Sequence, residues 1–426
     1  MTSLFPPLSN EARRILDRLP GIIDKAFPLP GRFRAGLPRD VAELSRLLTA
    51  AREDRSASYL GKPALLSAYL RYFMPWNIYR LCRLLSNLPL SIKSHDTIND
   101  LGSGPLTLPA SLWISRPDLR KLPLEFRCVD RTPAILDAGK RFFAALAAET
   151  AGDSGNVTGC QWIIKTIRGE LKKSGNLSVE IKGKPAALTT AINVYNELFW
   201  NFSPHDTEAL ETFADRSARL LSALTDPSGS ILLMEPGIPR SGEFTSLLRA
   251  SLIREGRSPL SPCVHLGECP LPGSVTRKPG GKAASAKWCH FAFDTEDAPV
   301  ALHKLSCAAG IPKERAVLSF LLAGPASPPA ILKKAKTQGS EKIRVISDLF
   351  PVKETWGRYG CSERGLVLVT GSKKGLESSP SGALEELPID GLKDEKSGAF
   401  IAEKNMYTGL VRQLKLSNNS TIKSKI

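Results

Sequence analysis

No run of eighteen or more apolar residues occurs in the 426-residue chain, which excludes a membrane-spanning helix by the length a bilayer core demands. The opening stretch MTSLFPPLSNEARRILDRLPG has neither the basic start nor the long apolar segment of a secretory signal. Mitochondrial presequences avoid acids, and Glu11, Asp17 and Asp24 speak against one. The expected location is therefore a reducing cytoplasm, or the mitochondrial matrix in a eukaryote, with no membrane partner. Cysteine and histidine are scarce, at eight and five. Eight thiols in a reduced chain of this size do not make a disulfide framework, so a cluster of them points to metal. Acids are in deficit too: 42 against 58 Lys and Arg, a net charge of +16, which favours polyanionic partners through counterion release.

What is present suits a globular protein of two or three domains, with 42% apolar residues to build cores. Helical spacing of apolar residues runs from Leu4 to about Leu90, and Pro75 is expected to kink or break the segment that contains it. In that segment Tyr69, Tyr72, Phe73, Trp76 and Tyr79 interleave with Arg71, Arg80 and Arg83. The pattern reads either as a hairpin core with snorkelling arginines or as a face that stacks on RNA bases. From Asp96 the texture alternates strand, loop and helix, which implies a parallel sheet with crossover helices. Strands are expected near 96–100, 124–130, 160–167, 187–194 and 230–235, and helices near 104–115, 133–149 and 206–225. Regularity is lost between about 256 and 290, and strand-like runs return in AVLSFLLAG, KIRVISDLF and GLVLVTG.

The fold class expected is α/β. Its parts are an N-terminal helical region (1–92), a Rossmann-like domain (93–255), a cysteine-rich insertion with the last sheet strands (256–330), a small β-rich element (331–375) and a flexible tail (376–426) of loop composition.

Chemistry concentrates in two places. In DTINDLGSGPLTLPASLW a strand ends at Asp100 and the chain passes through Gly102, Ser103 and Gly104 into a helix. Glycines there let backbone approach a ligand, and the helix start offers free amides. Twenty-six residues beyond Gly104, Asp130 closes a second strand, where a carboxylate can accept both ribose hydroxyls of a nucleotide. The dinucleotide fingerprint G-x-G-x-x-G fails, because Pro105, Leu106 and Thr107 come after Gly104. The stretch Asp100 to Leu106 resembles instead the first motif of class I S-adenosylmethionine-dependent methyltransferases, D/E-x-G-x-G-x-G, with Leu106 in place of the last glycine. That leucine is expected to narrow the space near the methionine part of the cofactor. Asn196 and Glu235, at the ends of later strands, are candidates to contact substrate or cofactor, and either equally suits a helix cap.

The second place begins at SPCVHLGECP and extends to the last cysteine of the chain. Five residues separate Cys263 from Cys269, nineteen separate Cys269 from Cys289, and seventy-one lie between Cys289 and Cys361. The other four, Cys82, Cys128, Cys160 and Cys307, fall within apolar patterns and read as small core residues. Four thiolates suit tetrahedral zinc or an iron–sulfur cluster; the wide, unpaired spacing favours a cluster, and His265 and His290 keep a mixed zinc site open.

Taken in order, YLRYFMPWNIYRL, DLGSGP, CVDRTPAIL, NVYNEL, EPGIPRSGEF, SPCVHLGECPL, WCHFAF and GRYGC resemble the methyltransferase-like family of mitochondrial small-ribosomal-subunit assembly factors and their bacterial relatives. The likeness extends over about residues 40 to 375. It implies a [4Fe–4S] cluster on Cys263, Cys269, Cys289 and Cys361, binding of small-subunit rRNA by a monomer, and S-adenosylmethionine as a cofactor whose methyl transfer is an open question. The segment between Cys269 and Cys289 is longer than the family's and holds four basic residues and no acid. It reads as a basic finger for rRNA phosphates or as a solvated loop.

Overall fold

The computed structural model describes residues 3–49, 61–150, 160–200, 202, 206–273, 287–326 and 340–404. The chain divides into two compact units. The larger comprises Leu4–Leu266 and Leu271–Lys333, and the smaller Met1–Ser3, Gly267–Pro270 and Lys334–Ile426. The basic segment expected to act as a finger lies, for residues 274–286, outside the described residues. Among the described residues no helix is long and apolar enough to cross a membrane.

The larger unit opens with helices α1 (Asn10–Ala26), α2 (Gly31–Arg34), α3 (Leu37–Leu48), α4 (Pro63–Ala68) and α5 (Met74–Leu85). Ser9 caps α1 by accepting the Ala12 N–H at 3.1 Å, and the helix buries Ile15, Leu16, Leu19, Ile22 and Ile23. Pro75 does not break the chain of helices. It sits in the first turn of α5, and the missing N–H is accommodated just upstream by a π-helical turn, Tyr69–Phe73, where the Met74 N–H reaches back to Tyr69 O. The aromatic run divides as well. Tyr72, Trp76 and Tyr79 are buried and offer no face to a base, whereas Tyr69 remains partly open.

The main sheet has strands β1 (Thr97–Leu101), β2 (Leu124–Asp130), β3 (Trp162–Arg168), β4 (Ala186–Ile192), β5 (Thr225–Pro236), β6 (Ser258–Ser261), β7 (Phe291–Asp294) and β8 (Arg315–Gly324). Helices α6 (Thr107–Ser115), α7 (Pro133–Thr150), α8 (Asn196–Phe199), α9 (Thr207–Leu224), α10 (Pro239–Arg254) and α11 (Val300–Ala308) connect them. The spatial order is β3-β2-β1-β4-β5-β8-β6, parallel from β3 to β5 with β8 antiparallel between β5 and β6. This is the strand order of the Rossmann-like class I methyltransferase fold. The central strands read as near-continuous apolar runs because both faces are covered, and Tyr195, Phe199, Phe213 and Phe244 pack one side.

The two ends of the irregular stretch are fixed by the strands that flank it. β6 pairs with β8 at Gly324 to Leu322, and β7 pairs with the same strand at Leu318 to Arg315, both antiparallel. β5 occupies the other edge of β8, so β6 and β7 are two halves of one edge strand with the cysteine-rich segment inserted between them. Trp288 returns the insertion to the body: its indole N–H donates to Gly237 O at 3.1 Å, and a Cβ on Gly242 would lie 2.6 Å from the Trp288 Cβ.

The smaller unit is a second sheet of β9 (Glu341–Val345), β10 (Phe350–Val352), β11 (Thr355–Ser362), β12 (Gly365–Gly371), β13 (Leu384–Leu387) and β14 (Phe400–Lys404), ordered β13-β9-β11-β12-β14 with β10 on β11. The flexible tail expected from residue 376 is thus corrected as far as Lys404. β13 pairs with β9 and β14 pairs in parallel with β12, and Ile389 and Ala402 join Ile343, Val367, Val369 and Leu376 in its core. Sparse apolar residues such as these are enough when a sheet already offers the other half of the core.

The N-terminal segment is held to the larger unit by a buried ion pair. Arg83 Nη1 donates to Asp297 Oδ1 at 2.7 Å and Nη2 to Phe5 O at 3.0 Å, while Tyr79 O–H and the Leu8 N–H also donate to the Asp297 carboxylate. Removing one partner of such a pair strands the other charge away from water, at about 3–5 kcal/mol. Asp297→Ala is expected to lower stability by about 3 kcal/mol, read as a shift in the urea midpoint; a midpoint equal to wild type refutes the arrangement.

Candidate functional site

A cavity of about 470 Å³ opens at the carboxyl ends of β1, β2 and β4, where the strand order reverses between β1 and β4 and doubly wound sheets bind their ligands. The loop after β1 forms one wall. Gly102, Gly104 and Leu106 all adopt left-handed φ values, of 69°, 54° and 59°. Gly102 needs its missing side chain, because a Cβ there would lie 2.5 Å from Val194 Cγ2. Gly104 meets nothing nearer than the Tyr69 hydroxyl at 4.0 Å, so its constraint is conformation alone.

Asp130, at the tip of β2, holds this loop. Its Oδ2 accepts the Gly104 N–H at 3.0 Å and its Oδ1 the Thr132 N–H at 2.9 Å. Burial raises its carboxyl above the usual range against the pull of those amides. Asp100 lies beneath. Its carboxylate accepts Ser103 O–H at 2.5 Å and Thr190 O–H at 2.7 Å, and burial lifts it to about 6. The sequence-predicted set Asp100, Gly102, Ser103, Gly104 and Asp130 is therefore brought together on one cavity.

Leu106 corrects an expectation. It does not narrow the cavity: it is fully buried at the start of α6, and the space for it exists because α7 carries Gly139, whose Cβ would lie 2.6 Å from Leu106 Cγ. Holding a leucine in left-handed backbone costs roughly 1–2 kcal/mol, offset here by burial of its side chain.

The sixth candidate, Asn196, is buried below the wall rather than lining it. Its N–H donates at 3.1 Å to Glu235, which also accepts the Tyr195 N–H at 2.8 Å. Glu235 is thus the anchor of the β4–α8 turn, and Asn193, Val194 and Glu197 face the cavity there. Sequence reasoning missed contributors from three places: Tyr69 and Asn77 from the helical region, Gly169 to Leu171 after β3, and Arg131, which stands 3.6 Å from Glu197. Only Arg131, next to Asp130, carried a local signal.

Two of the predicted metal ligands, Cys263 and Cys289, belong to the larger unit, and two, Cys269 and Cys361, to the smaller. Cys263 Sγ accepts the buried Arg249 Nε–H at 3.2 Å, and Arg249 also donates to His265 O at 2.7 Å. Cys361 lies on β11 opposite Leu366 and Arg344. Among the described residues no group of three or more His, Cys, Asp and Glu is gathered for a metal ion. The donor chemistry suits zinc or iron. Cys82 and Cys128 are core residues as expected, but Cys160 and Cys307 are exposed: Cys160 precedes β3 by two residues and Cys307 lies in the last turn of α11.

No protein-family model matches the sequence, and no curated protein does. Several solved structures similar to the chain are methyltransferases. One, of calicheamicin biosynthesis in its SAH-bound form, is 13% identical over 70% of this chain and 73% of that one, with a TM-score of 0.29. Geranyl diphosphate methyltransferase with GPP and sinefungin is 9% identical over 63% and 83%, TM-score 0.30. A SAM-dependent methyltransferase from Methanosarcina mazei is 13% identical over 56% and 95%, TM-score 0.23. The likeness is one of fold. At these scores it adds nothing to the strand order itself.

Burial raises the Glu235 carboxyl from 4.5 to about 8. A raised carboxyl contributes stability that is complete below its unfolded pKa and lost as pH climbs through the folded one. Unfolding free energy should therefore decline between about pH 5 and 8, and Glu235→Gln should flatten that slope. Denaturant titrations at four pH values would show it; an identical slope in the variant contradicts the assignment.

Proposed function

We propose that the chain binds S-adenosylmethionine in this cavity and serves as a methyltransferase-like factor of the small ribosomal subunit, with a [4Fe–4S] cluster on Cys263, Cys269, Cys289 and Cys361. The observation that carries the first part is Asp130: a partly buried carboxylate beside a glycine loop, with two oxygens that each accept one backbone amide and retain lone pairs for ribose hydroxyls. The cavity volume lies within the range of small-molecule sites. Gly104 presents an open, side-chain-free surface to a ligand, and Val194 and Asn193 close the far side. The cofactor, when bound, supplies an electrophilic methyl group on sulfur. The chain's part is to fix its ribose through Asp130 and shield it between Tyr69 and the glycine loop.

The remaining parts rest on other grounds. A net charge of +16 supports a nucleic-acid partner, and the ordered motifs support rRNA of the small subunit, bound by a monomer in a reducing compartment. The cluster rests on the chemistry and spacing of the four thiols, with zinc as the competing ion. An active rRNA methyltransferase is the second reading, favoured by the open cavity, since a scaffold has no need to keep one.

Calorimetry separates these. Wild-type protein should bind S-adenosylmethionine, and Asp130→Ala should weaken it about tenfold or more, as expected for loss of a charge-assisted hydrogen bond. No heat with wild-type protein at about millimolar cofactor, a concentration at which only affinities weaker than about −4 kcal/mol escape notice, leaves the fold as a scaffold. Anaerobically purified protein should contain iron and sulfide in equal amounts and absorb at roughly 400 nm as thiolate-held clusters do, and Cys269→Ser should lose both. A colourless preparation containing zinc would replace the cluster with the zinc reading.

A further inference from the structure

Among the described residues two cations near α5 lack a carboxylate partner. Trp76 and Arg80 lie one turn apart on α5, hence on one face of it. Arg80 Nη1 donates to Val317 O at 3.3 Å and Nη2 to Asn77 Oδ1, both neutral acceptors. Lys313, just before β8, places its ammonium 5.9 Å from the centre of the Trp76 ring. Among the described residues neither cation forms an ion pair with a carboxylate. Burial pushes Lys313 down to about 8, with the Arg80 charge adding to the effect, and pushes Arg80 down to about 10. Asn77 touches Arg80 and also lines the cavity, so Arg80 sits one side chain behind the cavity wall, and Lys313 lies against Trp76, one turn before Arg80 on α5.

Desolvated charges of one sign repel and lose hydration, and proteins offset that with an anion. Arginine's planar fork meets a tetrahedral oxyanion through two N–H groups, while lysine adds a point charge. We propose that Arg80 and Lys313 bind a phosphate group of the molecule whose reacting end enters the cavity. The chemistry is the same for a small phosphorylated metabolite and for an RNA phosphodiester. The +16 charge of the chain makes the second source available without being required by the first. The site stands independently of S-adenosylmethionine binding: a protein that takes phosphate but not the cofactor keeps this site and loses the cofactor.

The test uses the full chain, inorganic phosphate by calorimetry and a short single-stranded RNA by fluorescence anisotropy. Lys313→Gln, at a partly exposed position, should weaken phosphate about five- to tenfold, the scale of one charged hydrogen bond. If RNA is the natural source, the same variant weakens RNA comparably and lowers its salt slope by about 0.7, the single-strand value per phosphate. Loss with inorganic phosphate alone assigns the site to a small phosphorylated ligand. Arg80→Gln should reproduce whichever pattern appears. Wild-type affinity for both probes in Lys313→Gln overturns the proposal, whether or not Arg80→Gln folds.

Discussion

The site depends on one carboxylate bridging two loops. Asp130 accepts an amide from the loop after β1 and another from its own loop into α7, and so fixes the glycine loop against the strand next to it. Without that bridge the three left-handed residues at 102, 104 and 106 would be an expensive and uncoordinated turn. With it, the turn aims Gly104 into the cavity and drops Leu106 into the gap that Gly139 leaves in α7. One glycine on a neighbouring helix thereby substitutes for the glycine missing from the loop.

Asp100, Asp130 and Glu235 obey one rule. Each lies at the end of a strand, each is wholly or partly buried, and each accepts hydrogen bonds from a neighbouring segment: Ser103 and Thr190, Gly104 and Thr132, Tyr195 and Asn196. Desolvation raises all three, while the donors restrain the rise. The cost of burying these acids is offset by the order they impose on three loops of neighbouring strands, those after β2, β1 and β4. That order makes a rigid rim out of segments that elsewhere on a protein surface move freely. Arg80 stands behind the cavity wall on α5 and Lys313 lies against Trp76 of the same helix; opposite in sign to these acids, and among the described residues without a carboxylate partner, they invite a different explanation.

Local chemistry was legible from residue order. The glycine loop, Asp130 and the alternation of strand and helix are short-range signals, and their placement is settled once the sheet is parallel. What escaped depends on distant partners. Leu106 reads as an obstruction until Gly139 is known to face it. Tyr69 and Asn77 look like any helical residues, and only the placement of their segment beside the glycine loop makes them cavity wall. The strands at 384–387 and 400–404 carry loop composition because each needs to cover only part of an existing core. Exposure of Cys160 and Cys307 turns on which side of an element's end faces water, and apolar neighbours in sequence do not decide that.

The split edge strand gives the cysteines of the larger unit a physical setting that their spacing does not reveal. β6 ends opposite Leu322 and β7 begins opposite Leu318. Four residues of β8 span about 13 Å, so however long the inserted segment, its two ends are held that far apart by hydrogen bonds to one strand. Cys263 comes two residues after β6 and Cys289 two before β7, placing both within a few residues of those fixed ends. An edge strand can host such an interruption because its outer groups pair with no further strand and its other edge still holds the sheet. Separation in sequence, twenty-six positions from Cys263 to Cys289, therefore overstates the entropy lost in bringing these two thiols together, since the sheet has already closed the loop.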